Sequence, residues 1–148
     1  MTYPDTGFLV SLYLNDANGE AATRYVERYG GPLLLSPLTR IEMANAFRLW
    51  EFRKLLTAAN VRSVLRDIAE DTASGFLNET SVAWSDLLTT AERLSARYTP
   101  KTGNRTLDIL HVAAAKALGI DTFLTFDKRQ GVLATKAGLT APLPAADL

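Results

Sequence analysis

Four acidic residues stand where this chain delivers side chains to a common edge. Asp5 follows a short first strand and opens a helix. Glu42 lies in the first turn of the helix that follows a Leu33-Leu34-Leu35 run. Asp108 lies in the first turn of its own helix, and Asp127 ends a strand and opens another helix. Each has a local explanation. Asp5 and Asp127 are acceptable N-caps, Thr39 with Glu42 fits a capping box, and Asp108 complements a helix dipole. Taken together they ask for more, because gathered carboxylates repel and raise one another's pKa. No matching cluster of Arg or Lys accompanies them. A cation is then required, and an all-oxygen donor set suits a hard ion, Mg²⁺ or Mn²⁺. Such ions activate water and stabilise in-line displacement at a phosphate, so the chemistry indicated is phosphodiester hydrolysis.

The elements that must position these acids follow from apolar spacing and chain breakers. The clearest unit runs from Arg105 to Asp127. It is a helix with Thr106 as cap and Leu107, Leu110, Ala114 and Leu118 at helical spacing, stopped at Gly119 and followed by a buried strand, Thr122 to Phe126. Ahead of it the spacing predicts a strand over 1–4, a helix over 8–14, a break at Asn15 to Gly19, and a helix over 20–29 ended by Gly30-Gly31. A strand over 32–36, a long helix over 38–56 and another over 58–73 come next. A third strand over 75–80, a helix over 85–98 and a polar loop over 99–104 precede the central unit. A short helix over 128–137 and a last strand over 139–143 close the chain. Strands alternating with helices predict an α/β fold with a parallel sheet, whose ligand edge is shared by strand C-termini and the helix starts that follow.

Along its whole length the sequence resembles a PIN-domain ribonuclease of the VapC toxin type. The resemblance rests on Pro4-Asp5-Thr6-Gly7-Phe8-Leu9-Val10, on Glu42 with Asn45, on Asp108-Ile109-Leu110-His111-Val112-Ala113-Ala114-Ala115, and on Thr125-Phe126-Asp127-Lys128-Arg129. It implies a single domain over 1–148, a three-layer PIN-like fold with a central five-stranded parallel sheet flanked by helices, a Mg²⁺ or Mn²⁺ site, endoribonuclease activity and a cognate antitoxin. The family's four acids fall on Asp5, Glu42, Asp108 and Asp127. Asp5, Asp108 and Asp127 are then expected to hold metal, with Glu42 completing that shell or orienting the attacking water. Thr6 and Thr125 are expected to bond a carboxylate or the scissile phosphate.

Basic and aromatic residues offer further candidates. His111, three residues after Asp108, reads as a ligand or proton shuttle, or as a packed helix residue with a satisfied hydrogen bond. Arg105 either holds an RNA phosphate or pairs with Asp108. Lys128 and Arg129, beside Asp127, are better placed for RNA than Arg93, Arg97 and Lys101, which also suit a solvated helix face. The long helix carries two apolar stripes, Ile41-Ala44-Phe52-Leu55-Ala59 and Met43-Phe47-Trp50. One can face the sheet; the other needs cover from the next helix, an antitoxin or a second protomer, and a homodimer is expected.

Composition sets the outer bounds. The 148 residues contain 16 Lys and Arg against 16 Asp and Glu, which argues against a generic nucleic-acid-coating protein. With the four acids set aside for metal, 16 bases face 12 acids, so an RNA substrate is compatible. The absence of Cys excludes thiolate metal sites, and one His makes a zinc cluster a poor fit. There is no membrane-length apolar run and no secretory leader, so a cytoplasmic protein is expected. Walker, dinucleotide-binding and serine-elbow motifs are absent from the sequence. Two other classes remain: a PIN-like module that binds RNA or protein with little catalysis, and a phosphoacceptor receiver domain. The second usually has an acid pair after its first strand, and Asp5 stands alone.

Overall fold

A computed structural model describes residues 1–14 and 16–142. In chain order the elements are β1 (Thr2–Pro4), α1 (Thr6–Leu14), α2 (Gly19–Tyr29), β2 (Leu33–Leu35), α3 (Pro37–Phe52), α4 (Ala58–Ser74), β3 (Leu77–Glu79), α5 (Trp84–Thr102), α6 (Thr106–Ala117), β4 (Thr122–Leu124) and α7 (Lys128–Lys136). The strands form one parallel sheet in the order β3-β2-β1-β4, with Thr2 opposite both Leu33 and Thr122.

Alternation along these short strands builds a core on each face. Tyr3, Leu34 and Phe123 point to one side, where they meet Leu87 and Leu94 of α5, Ile109 and Val112 of α6, and Leu133 of α7. Leu33, Leu35, Leu77 and Leu124 point to the other and meet Phe8 and Leu9 of α1, Met43 and Phe47 of α3, and Val61, Val64 and Ile68 of α4. The result is the expected three-layer α/β architecture. Of the two stripes on α3, Met43 and Phe47 are the buried ones, whereas Ile41, Phe52 and Leu55 lie exposed. No helix among the described residues is long and apolar enough to cross a membrane.

Several boundaries differ from the sequence reading, most by a residue or two at strand and helix ends, and four matter for the fold. The sheet has four strands rather than five. The last expected strand is reduced to one parallel bridge, Thr122 with Thr140, in which Phe123 N–H donates to the Thr140 carbonyl and Thr140 N–H to that of Asp121. Pro142 has no N–H with which to extend the ladder, and Leu143 falls outside the described residues. The expected loop at 99–102 is the last turn of α5. Pro100 forfeits a bond only at the helix end, and Gly103, at φ 63°, closes the turn by donating to the Thr99 carbonyl. The helix α3 stops at Phe52, four residues early, because the chain turns through Lys54 at φ 62°; Thr57 then caps α4. The cap of α3 is Ser36, whose Oγ accepts from Thr39 N–H at 3.1 Å, so Glu42 sits in the second helical turn and no capping box joins it to Thr39.

Candidate active site

The C-terminal edge of β1 and β4 opens into a cleft of about 520 Å³. Asp5, Glu42, Asp108 and Asp127 all line it, together with Thr6, Gly7, Arg105, Thr106, Leu107, His111 and Gln130. Parallel pairing of β1 with β4 brings Asp5 and Asp127 to one end of the sheet, and the start of α6 brings Asp108.

Three of the acids also hold the backbone that delivers them. Asp5 Oδ1 accepts from Phe8 N–H at 2.7 Å, Asp127 Oδ1 from Gln130 N–H at 3.0 Å, and Asp108 Oδ2 from Arg105 N–H at 3.0 Å. For Asp5 and Asp127 this is the expected N-cap role, whereas Asp108, expected only to complement the dipole, reaches back from the third helical position to the Arg105 N–H; all three roles coexist with a place in the cleft. Thr106 is not the cap of α6; Arg105 occupies that position. The guanidinium of Arg105 turns onto Asp108 (3.3 Å from Nε to Oδ2), the pairing arrangement of the two open to it. Glu42 is held differently. Its Oε2 accepts from Thr6 Oγ1 at 2.7 Å and lies 2.5 Å from His111 Nε2. Thr6 therefore bonds a carboxylate, and it is the carboxylate of Glu42.

The charges sit in unlike surroundings. Asp5 is buried, and burial pushes its carboxyl up to about 6; the Thr125 hydroxyl, the Phe8 N–H and His111 pull it back, and Asp127 adds to the rise. Around half-buried Glu42, burial also raises, but the His111 and Thr6 bonds outweigh it and leave the carboxyl below its ordinary value. As a donor set the acids fit a hard divalent ion: their oxygens are of the right kind, and Asp5 is a desolvated anion beside further acids that a cation would relieve. Among the described residues, however, no three acidic or histidine side chains draw close enough to grip one ion.

Other expected residues fall around the cleft rather than in it. Thr125 is buried behind the edge, where its hydroxyl meets Gln130 Oε1 at 3.2 Å and accepts from Asp127 N–H at 3.0 Å. Lys128 and Arg129 are exposed and do not line the cleft; Arg129 reaches the Gly103 carbonyl. Gln130 went unmarked in the sequence although Asp127-Lys128-Arg129-Gln130 fits the capping-box pattern. It is buried and its amide reaches the Asp108 carbonyl at 3.4 Å, tying the start of α7 to that of α6.

Among curated proteins none matches the chain significantly. Several solved structures share its fold at low identity, three of them as follows. VapC20 of Mycobacterium tuberculosis, described as a sarcin-ricin loop cleaving toxin, is 20% identical with a TM-score of 0.68, over 97% of this chain and 100% of that one. A toxin–antitoxin complex from Klebsiella pneumoniae is 14% identical (TM-score 0.67; 97% and 98% covered). FitAcB from Neisseria gonorrhoeae is 18% identical (TM-score 0.66; 91% and 94% covered). The PIN domain model matches residues 2–136, and the chain belongs to the PIN domain family.

Proposed function

We propose that this protein is a Mg²⁺- or Mn²⁺-dependent endoribonuclease, a single-domain cytoplasmic toxin of a toxin–antitoxin pair. The observation that carries the reading is the placement of Asp5, Glu42, Asp108 and Asp127, from four separate chain segments, around one cleft. The likeness to a toxin described as cleaving the sarcin-ricin loop and to a toxin–antitoxin complex supports it. In this reading Asp5, Asp108 and Asp127 hold the metal, and Arg105 must release Asp108 for that role. A bound divalent ion supplies Lewis acidity at a phosphate and lowers the pKa of water. Glu42 orients the attacking water. Its Oε2 is committed to Thr6 and His111, and among the described residues Oε1 has no hydrogen-bond partner. Arg105, once free of Asp108, meets the RNA backbone in the cleft, and the exposed Lys128 and Arg129 beside Asp127 extend that contact outside it. The exposed Ile41, Phe52 and Leu55 form the apolar surface for an antitoxin or for a second copy in a homodimer.

The deciding experiment incubates purified protein with end-labelled structured RNA in Mg²⁺, Mn²⁺ or EDTA. Cleavage at discrete sites is expected with metal only. Asp5→Asn and Asp108→Asn should each cut the rate at least about a hundredfold, the scale at which positioned catalytic groups contribute. Full activity in both variants would end the site assignment. Absence of cleavage by folded, metal-loaded protein would favour the binding-module reading.

A further inference from the structure

Behind Glu42 a line of buried polar groups runs from the cleft into the core. Thr39 N–H donates to Ser36 Oγ at 3.1 Å, Ser36 Oγ lies 3.0 Å from Tyr3 OH, and Tyr3 OH lies 3.1 Å from His111 Nδ1. His111 Nε2 then reaches Glu42 Oε2 at 2.5 Å. Tyr3, Ser36, Thr39 and His111 are all at most 3% exposed.

The direction of the line is set by its end. A carboxylate only accepts, so His111 presents Nε2 as N–H. With the imidazole neutral, Nδ1 is then the acceptor and Tyr3 OH the donor; a charged ring keeps the same Nε2–H bond to Glu42. Burial raises the Tyr3 phenol, which keeps its proton for that bond. Ser36 donates to Tyr3 in turn, and every donor along the line points toward Glu42. Both ring nitrogens of His111 are thereby engaged by protein, which removes it from direct work on substrate. Buried polar pairs of this kind are in general weak contributors to stability compared with apolar side chains of the same volume. What the polar line supplies is a fixed carboxylate.

On the nuclease reading above, we propose that Tyr3 and His111 are positioning residues that hold the Glu42 carboxylate at the cleft wall for the attacking water. Tyr3 joins β1 to α6 through His111, and His111 joins α6 to α3 through Glu42, so the pair locks three segments at the position of one oxygen atom.

The chain contains one histidine, so a ¹⁵N-histidine NMR spectrum of the full-length protein reports His111 alone. A proton on Nε2 is expected; a bare Nε2 overturns the proposal. In RNA-cleavage kinetics Tyr3→Phe keeps the ring stacked on Phe123 and removes only the hydroxyl. It should lower kcat about tenfold with KM nearly unchanged, the scale typical of groups that orient a ligand from behind. His111→Gln, which retains an amide N–H for Glu42, should lose less than His111→Leu. In a Glu42→Gln background Tyr3→Phe should bring no further loss. Unchanged kcat in both Tyr3→Phe and His111→Leu, or an equal loss with and without Glu42, would show that the line is only core. If the wild-type protein cleaves no RNA, the nuclease reading fails and the positioning role fails with it. An intact Nε2 proton would then mark the first as the failure and the hydrogen-bonded line as real.

Discussion

Asp5 bears the main electrostatic cost at the cleft. A carboxyl moved from 3.8 to about 6 binds its proton more tightly in the folded chain, a difference worth up to about 3 kcal/mol. Below pH 3.8 the group is protonated in both states and contributes nothing. Between 3.8 and about 6 stability falls as pH rises, and above that the full penalty stands. In EDTA, Asp5→Asn should therefore stabilise the protein at pH 7.5, by up to that amount, with the gain gone at pH 3.5. Urea denaturation at the two pH values measures it, and equal stability of the two proteins at both would refute the burial argument. At this scale the sequence was legible in local position, as at the helix starts held by Asp5, Asp108 and Asp127. It was silent on what surrounds them. That Glu42 meets Thr6 and His111 rather than capping its helix depends on contacts 36 and 69 positions apart, which no local spacing encodes.

The elements follow the sequence closely where hydrophobic periodicity ends on a strong breaker, as at Gly30, Gly75 and Gly119. They depart from it where the signal misleads. Pro100 reads as a loop and lies inside α5, where it forfeits one bond and the helix runs only two residues further, to Thr102. The end of α3 has no Gly or Pro, and the apolar pattern runs on through Leu55 and Leu56 after the helix has stopped. Gln130 carries the registration of α7 against α6, through Thr125 on one side and the Asp108 carbonyl on the other. Gln130→Ala removes the bonds to Thr125 and to the Asp108 carbonyl and opens a buried gap between the helix starts, and should destabilise the fold by about 1–3 kcal/mol, read from the urea midpoint. A substitution without effect would mean that packing alone sets the two helix starts.

Across the whole molecule, a neutral chain concentrates four acids in one cleft, and a cation bound there links site to stability. A ligand present at a hundredfold excess over its Kd adds about 2.7 kcal/mol. Mn²⁺ should raise the melting temperature of the wild-type protein and leave those of Asp5→Asn and Asp108→Asn nearly unmoved. No rise at any Mn²⁺ concentration would remove the metal from the reading, whatever the RNA assay shows. The strand order has a further consequence, for the timing of synthesis. Asp5 is synthesised long before β4, and β1 finds that partner only when Thr122 has followed Thr2 out. A nascent chain that has emerged through α5 holds Asp5 and Glu42 but neither Asp108 nor Asp127. The four-acid cleft is thus assembled only after β4 and the start of α7 have been made, so any activity it carries waits for the last part of the PIN domain.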